Sequence, residues 1–105
     1  MARCIVVLVT CPTQRSAGRL ADLLVKGRLA ACVNIVPRIR SVYRWKGSLE
    51  RAGEILLIIK TTSTRLPALQ RAVLAHHPYD SPEIIALPIT AGREAYLDWA
   101  RDSVA

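Results

Sequence analysis

The stretch VYRWKGS at residues 42–48, followed by the apolar run EILLIIKT at residues 54–61, decides the fold of this chain. Lys46, Gly47 and Ser48 predict a turn, and the residues on either side of it predict two long strands joined as a hairpin. This hairpin is long for a protein of 105 residues. Its far end cannot all pack on the core of one monomer, so the pattern predicts an oligomer.

Towards the N-terminus, the sequence predicts a strand and then a helix. The run CIVVLV at residues 4–9 is continuous, apolar and rich in β-branched residues, which is typical of a strand covered on both faces. Thr13 is placed to cap the helix and Gly27 to follow its end. The apolar stripe of this helix consists of Ala17, Leu20, Ala21 and Leu24. The hairpin's first strand begins at about Ala31, and its Pro37 indicates an edge strand or a bulge.

Towards the C-terminus, the pattern continues with a helix, a strand and a further helix. Thr64 is placed to cap the second helix, which Pro78 ends because it disfavours helical geometry at His77. The predicted apolar stripe of this helix is Leu66, Leu69, Val73 and His76. Residues 84–89 predict a fourth strand, and its proline again suggests a sheet edge. The last helix has one face formed by Ala95, Tyr96, Trp99 and Ala100, with the two aromatic residues as core anchors.

The element order is therefore β-α-β-β-α-β-α within a single domain, residues 1–105. Two helices on one face of a four-stranded sheet, joined by right-handed crossovers, give an α+β ferredoxin-like β-α-β-β-α-β sandwich, here with an extra C-terminal helix. In that topology the fourth strand lies antiparallel beside the first. The end of strand one and the start of strand four therefore share one edge of the sheet.

This topology brings Cys11 close to His76 and His77, although they are about 65 positions apart in the chain. A thiolate with two imidazoles suits copper, with zinc close behind. Three protein ligands would leave an open coordination position, and Asp80 or Glu83 could supply an oxygen ligand or orient an imidazole. The sequence therefore predicts a metal site formed by Cys11, His76 and His77.

Two other interpretations of the same residues stay open. The adjacent histidines could simply end a helix, with the prolines shaping the loop that follows. Cys11 and a histidine could also act in nucleophilic catalysis, which requires a third group that orients the base and a nearby oxyanion hole. Cys4 and Cys32 are interpreted as small buried apolar residues.

Composition limits the classes of function. The net charge of +7 invites a nucleic-acid hypothesis, but the arginines are dispersed along the chain, as on a solvated surface. An RNA-binding module with this element order would present stacking aromatic residues on its middle strands, and the chain has no phenylalanine. No segment is predicted to cross a membrane or to act as a secretory signal. The three cysteines do not suggest a disulfide framework, so a reducing cytoplasmic location is expected.

A series of blocks in the chain follows the order found in one known family. The blocks are Thr10-Cys11-Pro12, residues 29–34, residues 41–47, Glu54, residues 60–62, His76-His77-Pro78-Tyr79, residues 82–84 and residues 96–99. On these residues the chain resembles the CutA family, the divalent-ion tolerance proteins. The resemblance implies a ferredoxin-like subunit in a tight homotrimer, whose long hairpins join sheets between subunits. It also implies copper ligands at Cys11, His76 and His77.

The expected function is that of a trimeric cytoplasmic protein that binds copper or another divalent cation in metal-ion tolerance, and not that of an enzyme. The alternative is a trimeric regulator similar to the PII signalling proteins, which would bind a small molecule or a partner protein at the clefts between subunits. Its candidate lining residues are Tyr43, Trp45, Lys46, Glu54 and Tyr79. The aromatic residues at the hairpin end are equally suited to packing between subunits.

Overall fold

The computed structural model describes residues 1–105 and has the predicted order of strands and helices. The strands are β1 (Cys4–Cys11), β2 (Cys32–Trp45), β3 (Ser48–Thr62) and β4 (Ile85–Pro88). The helices are α1 (Gln14–Lys26), α2 (Leu66–His76) and α3 (Glu94–Ser103). None of these helices has both the length and the apolar character needed to cross a membrane.

The four strands form one antiparallel sheet in the order β2-β3-β1-β4. Strand β4 pairs with β1 so that Leu8 lies opposite Ile85. This confirms that the end of the first strand and the start of the fourth share one sheet edge. The register between β2 and β3 shifts between Val36 and Ile39. The shift lies at Pro37, which has no backbone N–H to donate to a neighbouring strand.

The main core lies between the sheet and helices α1 and α2. Thr13 caps α1 by accepting a hydrogen bond from the Ser16 backbone N–H at 3.0 Å, and the predicted apolar stripe of α1 is entirely buried. The core consists of Ile5, Val7, Val9, Cys11, Ala17, Leu20, Leu24, Ala30, Ile55, Leu57, Ile59, Leu69 and Val73. Since residues alternate between the faces of a strand, every second residue of β1 and β3 faces these helices.

The opposite face of the sheet is apolar and only partly covered. Leu8 lies opposite Ile58 on β3 and Ile85 on β4, and residues directly opposite in a ladder share a face. Leu8 and Ile58 are half-buried, and Ile85 is 49% exposed. This face therefore offers apolar surface to which another molecule could pack.

Helix α2 differs from the prediction at its start and in the burial of His76, whereas its end before His77 is as predicted. It begins at Leu66 with Arg65 at the N-cap and no capping side chain, so the predicted cap at Thr64 is wrong. Pro67 lies in the first turn, where a residue without a backbone N–H is tolerated. His76 is exposed and does not extend the buried stripe.

Helix α3 packs through only part of the predicted face, which includes Ala100. Ala100 and Val104 are buried against Cys4 and Ala31 in a second small cluster. Tyr96 is 40% exposed and Trp99 is 46% exposed. The expectation that these two aromatic residues anchor the core of the chain is therefore wrong for the single subunit.

Candidate functional site

The end of β1 and the segment after α2 meet through His77. The Nε2 atom of His77 lies 2.8 Å from the backbone oxygen of Thr10, which is 67 positions earlier in the chain. His77 is itself buried, with 9% of its surface exposed, and the contact is partly buried. The prediction that topology would join these two distant segments is confirmed.

The hydrogen bonds of His77 define its tautomer. The Thr10 carbonyl can only accept, so Nε2 carries the proton and donates to it. The Tyr79 backbone N–H can only donate, and it donates to Nδ1 of His77 at 3.0 Å. Both ring nitrogens are therefore engaged by backbone groups, and the lone pair that a metal would need on Nδ1 accepts the Tyr79 hydrogen bond.

Cys11, at the end of β1, is fully buried in the main core. Burial raises the pKa of its thiol from 9.0 to about 11, and the negative charge of Glu54 contributes to the increase. The side chain is therefore a protonated thiol at neutral pH. A nucleophilic cysteine instead needs a lowered pKa and an adjacent base, so this environment argues against Cys–His catalysis.

His76 lies in different surroundings from His77. It lies at the exposed end of α2 and lines a small cavity of about 310 Å³ together with Ser16, Arg19, Leu20, Leu23 and Pro78. In this single chain, no three His, Cys, Asp or Glu side chains form a group that could hold a metal ion. The structure thus brings Cys11 and His77 to one end of the sheet, while the three-residue metal site stays a prediction.

A second polar centre lies close to Cys11 and is formed by Glu54 and Tyr79. The Tyr79 hydroxyl donates a hydrogen bond of 2.8 Å to Oε2 of Glu54. Glu54 is only 7% exposed. Burial raises the pKa of Tyr79, as do the hydrogen bond and the charge of Glu54, so the hydroxyl keeps the proton that it donates.

These two residues belong to a cleft of about 740 Å³, here called the Glu54 cleft. It is lined by Thr10, Ser41, Val42, Tyr43, Trp45, Glu54, Pro78, Tyr79, Asp80, Ser81 and Glu83. The cleft includes four of the five residues predicted to line a ligand cleft, and Lys46 is the exception. Asp80 and Glu83, considered above as helpers of a metal site, also lie in this cleft.

The Glu54–Tyr79 hydrogen bond itself was missed by sequence reasoning. The available signal was a carboxylate that directly precedes an apolar run, at a position where burial is costly without a partner. The partner, Tyr79, lies 25 positions away, and no local pattern links the two.

Comparison with known proteins gives a consistent result over nearly the whole chain. The family profile described as "CutA1 divalent ion tolerance protein" matches residues 5–103. The "Divalent-cation tolerance protein CutA" of Thermus thermophilus is 51% identical over 98 residues, which cover 93% of this chain and 95% of that protein. The "Protein CutA, chloroplastic" of Arabidopsis thaliana is 52% identical over 94% of this chain, which spans only 54% of that relative's length.

Solved structures agree with this comparison. A Thermus thermophilus divalent cation tolerance protein superimposes with a TM-score of 0.95 at 49% identity, over 97% of this chain and 99% of that one. CutA1 from Oryza sativa gives a TM-score of 0.96 at 49% identity, over 99% of this chain and 95% of that one. The fold seen here is thus the fold of these proteins.

Proposed function

Because the chain belongs to the CutA1 divalent ion tolerance protein family, we propose that it acts in divalent-cation tolerance as a homotrimeric, metal-binding protein. The observation that carries this proposal is the family match over residues 5–103. The relatives are named as tolerance proteins, which favours a role in binding over a role in catalysis. We also propose a cytoplasmic location, which three free cysteines favour because a reducing compartment keeps thiols unpaired.

We propose copper as the principal metal, with Cys11, His76 and His77 as its ligands and zinc as the alternative. The donor set supports this, because sulfur and imidazole together suit copper. Binding at His77 requires a change in the segment after α2, since Nδ1 must release the Tyr79 N–H and Nε2 is bonded to Thr10. Binding at Cys11 releases a proton, because the ligand form is the thiolate.

Metal titration tests this proposal. We expect the reduced, metal-free protein to bind about one copper ion per subunit in calorimetric titrations with competing chelators. We expect Cys11→Ser, or His76→Ala combined with His77→Ala, to weaken copper binding at least about tenfold, since each variant removes ligands. Unchanged affinity in both variants would place the metal elsewhere, and binding that is only weak and non-stoichiometric would contradict a copper role.

Trimer formation is supported by two features of the single chain. The open face of the sheet exposes apolar residues such as Ile85 and Leu87, which are 49% and 46% exposed. The hairpin of β2 and β3 also extends far from the core, and its tip leaves Leu49 55% exposed. Both surfaces are of the kind that subunit contacts bury.

The mass of the protein in solution checks the trimer directly. We expect light scattering at micromolar concentration to give three times the chain mass of 11.6 kDa. The expected mass should not change on dilution through the micromolar range, since a large apolar interface gives tight association. A monomer under these conditions would contradict the proposed assembly.

A regulatory role similar to that of the PII proteins is the second candidate. One observation favours it, which is that Tyr43, Trp45, Glu54 and Tyr79 line a common cleft. Under this proposal the cleft binds a small molecule, and metal binding is incidental. A ligand that binds without metal and is unaffected by Cys11→Ser would favour this candidate over the first.

A further inference from the structure

We propose that the Glu54 cleft binds a small organic cation, such as a protonated amine, between the carboxylate of Glu54 and the aromatic rings of Tyr43 and Trp45. This inference supplies a ligand class for the second candidate function. It uses none of the residues assigned above to the metal, so the two proposals can fail separately.

The first argument is the charge of Glu54. This residue is the one buried acid of the chain, with 7% of its surface exposed, and its only hydrogen-bond donor is the neutral Tyr79 hydroxyl. No basic side chain pairs with it, because the one ion pair within the chain joins Arg101 to Asp98. A chain with 15 lysines and arginines therefore leaves its buried carboxylate without a cation. Buried charges are normally paired, so the cleft is suited to a positively charged ligand.

The second argument is the aromatic wall of the cleft. Ile39 on β2 lies opposite Glu54 on β3, so Tyr43 and Trp45 lie on the face of the hairpin that also carries Glu54. Aromatic faces attract ammonium groups, because the face of the ring carries partial negative charge. The ammonium group of Lys46 lies 5.8 Å from the centroid of the Trp45 ring, so this indole already has a cation beside it within the chain.

The third argument separates an organic cation from an inorganic one. Asp80 and Glu83 line the same cleft as Glu54, but these carboxylates do not form a cluster that could hold a metal ion. Divalent ions such as Mg²⁺ and Ca²⁺ need several oxygen ligands at close range. A carboxylate with separate aromatic walls instead matches an alkylammonium ion, whose charged end and apolar body need different surroundings.

The proposal is tested with three compounds of nearly equal size and different charge: n-butylammonium chloride, n-butanol and sodium butyrate. Each is titrated into the full-length, isotope-labelled, metal-free protein at neutral pH, and backbone amide shifts are followed by NMR. We expect n-butylammonium alone to shift the amides of Tyr43, Glu54 and Tyr79 in a saturable way. The expected dissociation constant is about 1–10 mM, since the ligand has few atoms.

Two variants with the same chemical change test the role of the charge. Glu54→Gln keeps the side-chain volume and an oxygen acceptor for Tyr79, and it should weaken n-butylammonium binding at least about tenfold. Glu94→Gln removes an exposed charge from α3, which packs against the start of β1 at the other end of the sheet, and should leave binding unchanged. His76→Ala, which removes a proposed copper ligand that lies outside the Glu54 cleft, should bind n-butylammonium like the wild type, which keeps this test separate from the metal proposal.

Four results would overturn the proposal. Equal binding of n-butanol would show an apolar site, and equal weakening by the two Gln variants would show a general charge effect. Saturation of the same amides by MgCl₂, with displacement of n-butylammonium, would assign the cleft to an inorganic cation. If none of the three compounds shifts these amides, the cleft binds no small cation. This result is expected if a basic side chain of a second copy fills the cleft.

Discussion

Replacing Leu57 with alanine is expected to lower the free energy of unfolding by about 3–5 kcal/mol. Leu57 is fully buried and lies on β3, where it pairs with Val9 on one side and Ile35 on the other. The substitution removes apolar burial and leaves a cavity in the core between the sheet and helices α1 and α2. A central position in the sheet cannot collapse to fill the space, so the cost should lie in the upper part of the usual range.

Guanidinium denaturation followed by circular dichroism measures this effect. Protein concentrations must be matched, because the stability of an oligomer depends on concentration. Leu74→Ala is the control, since Leu74 is 57% exposed on α2, and we expect it to change stability by less than about 0.5 kcal/mol. If Leu57→Ala does not fold, Ile59→Val removes one methylene group from the same strand and should cost about 0.5–1.5 kcal/mol. Equal effects of the two Leu→Ala variants would contradict the described core.

Replacing His77 with alanine is expected to destabilise the metal-free protein by about 2–5 kcal/mol. The substitution leaves two backbone groups without their partner, the Thr10 carbonyl and the Tyr79 N–H. Each buried polar group left unsatisfied costs about 1–3 kcal/mol, and the lost burial of the ring adds to this. His77 therefore ties the end of β1 to the segment after α2 before any metal is bound.

His76→Ala is the matched control for this prediction. The side chain of His76 is exposed, so its removal should change stability by less than about 0.5 kcal/mol. Denaturation is measured in the presence of a chelator, which excludes metal from the comparison. Equal stability of the two variants would show that the His77 hydrogen bonds are not important for the fold.

A third variant separates the structural role of His77 from metal binding. Glutamine carries both a donor and an acceptor, so His77→Gln should recover part of the stability lost in His77→Ala. It provides no imidazole, so it should not recover copper affinity. If His77→Gln restores both properties, His77 supports the site without being a ligand. A copper site that includes Cys11 and His76 would then require a different third ligand.

Local sequence patterns were sufficient for the order and type of the secondary structure elements. The stripe of Ala17, Leu20, Ala21 and Leu24 is buried as predicted, and Thr13 caps α1. These features depend on residues within a few positions of each other, because helical and strand periodicities are local properties. The edge shared by β1 and β4 also followed from the sequence, since connection rules leave few topologies for this element order.

The helical periodicity of apolar residues predicted the wrong burial for His76 at the end of α2 and for the aromatic residues of α3. His76 was expected inside, but the chain leaves helical geometry at His77, with φ −81° and ψ 139°. The helical spacing no longer applies there, and His77 is the buried histidine. In α3, the predicted face contains Tyr96, Trp99 and Ala100, of which only Ala100 is buried. Packing of Ala100 against the distant Cys4 and Ala31 decides which part of that face is covered.

The sequence by itself determined the element order, the family resemblance and the two chain segments that meet at the site. Tertiary structure alone decided how the side chains there are used. In the folded chain, both ring nitrogens of His77 are hydrogen-bonded to backbone groups. Cys11 is buried as a protonated thiol, and Glu54 accepts a hydrogen bond from Tyr79. The physical reason is that burial and hydrogen bonding depend on which distant groups come within about 3 Å, and no local pattern records that distance.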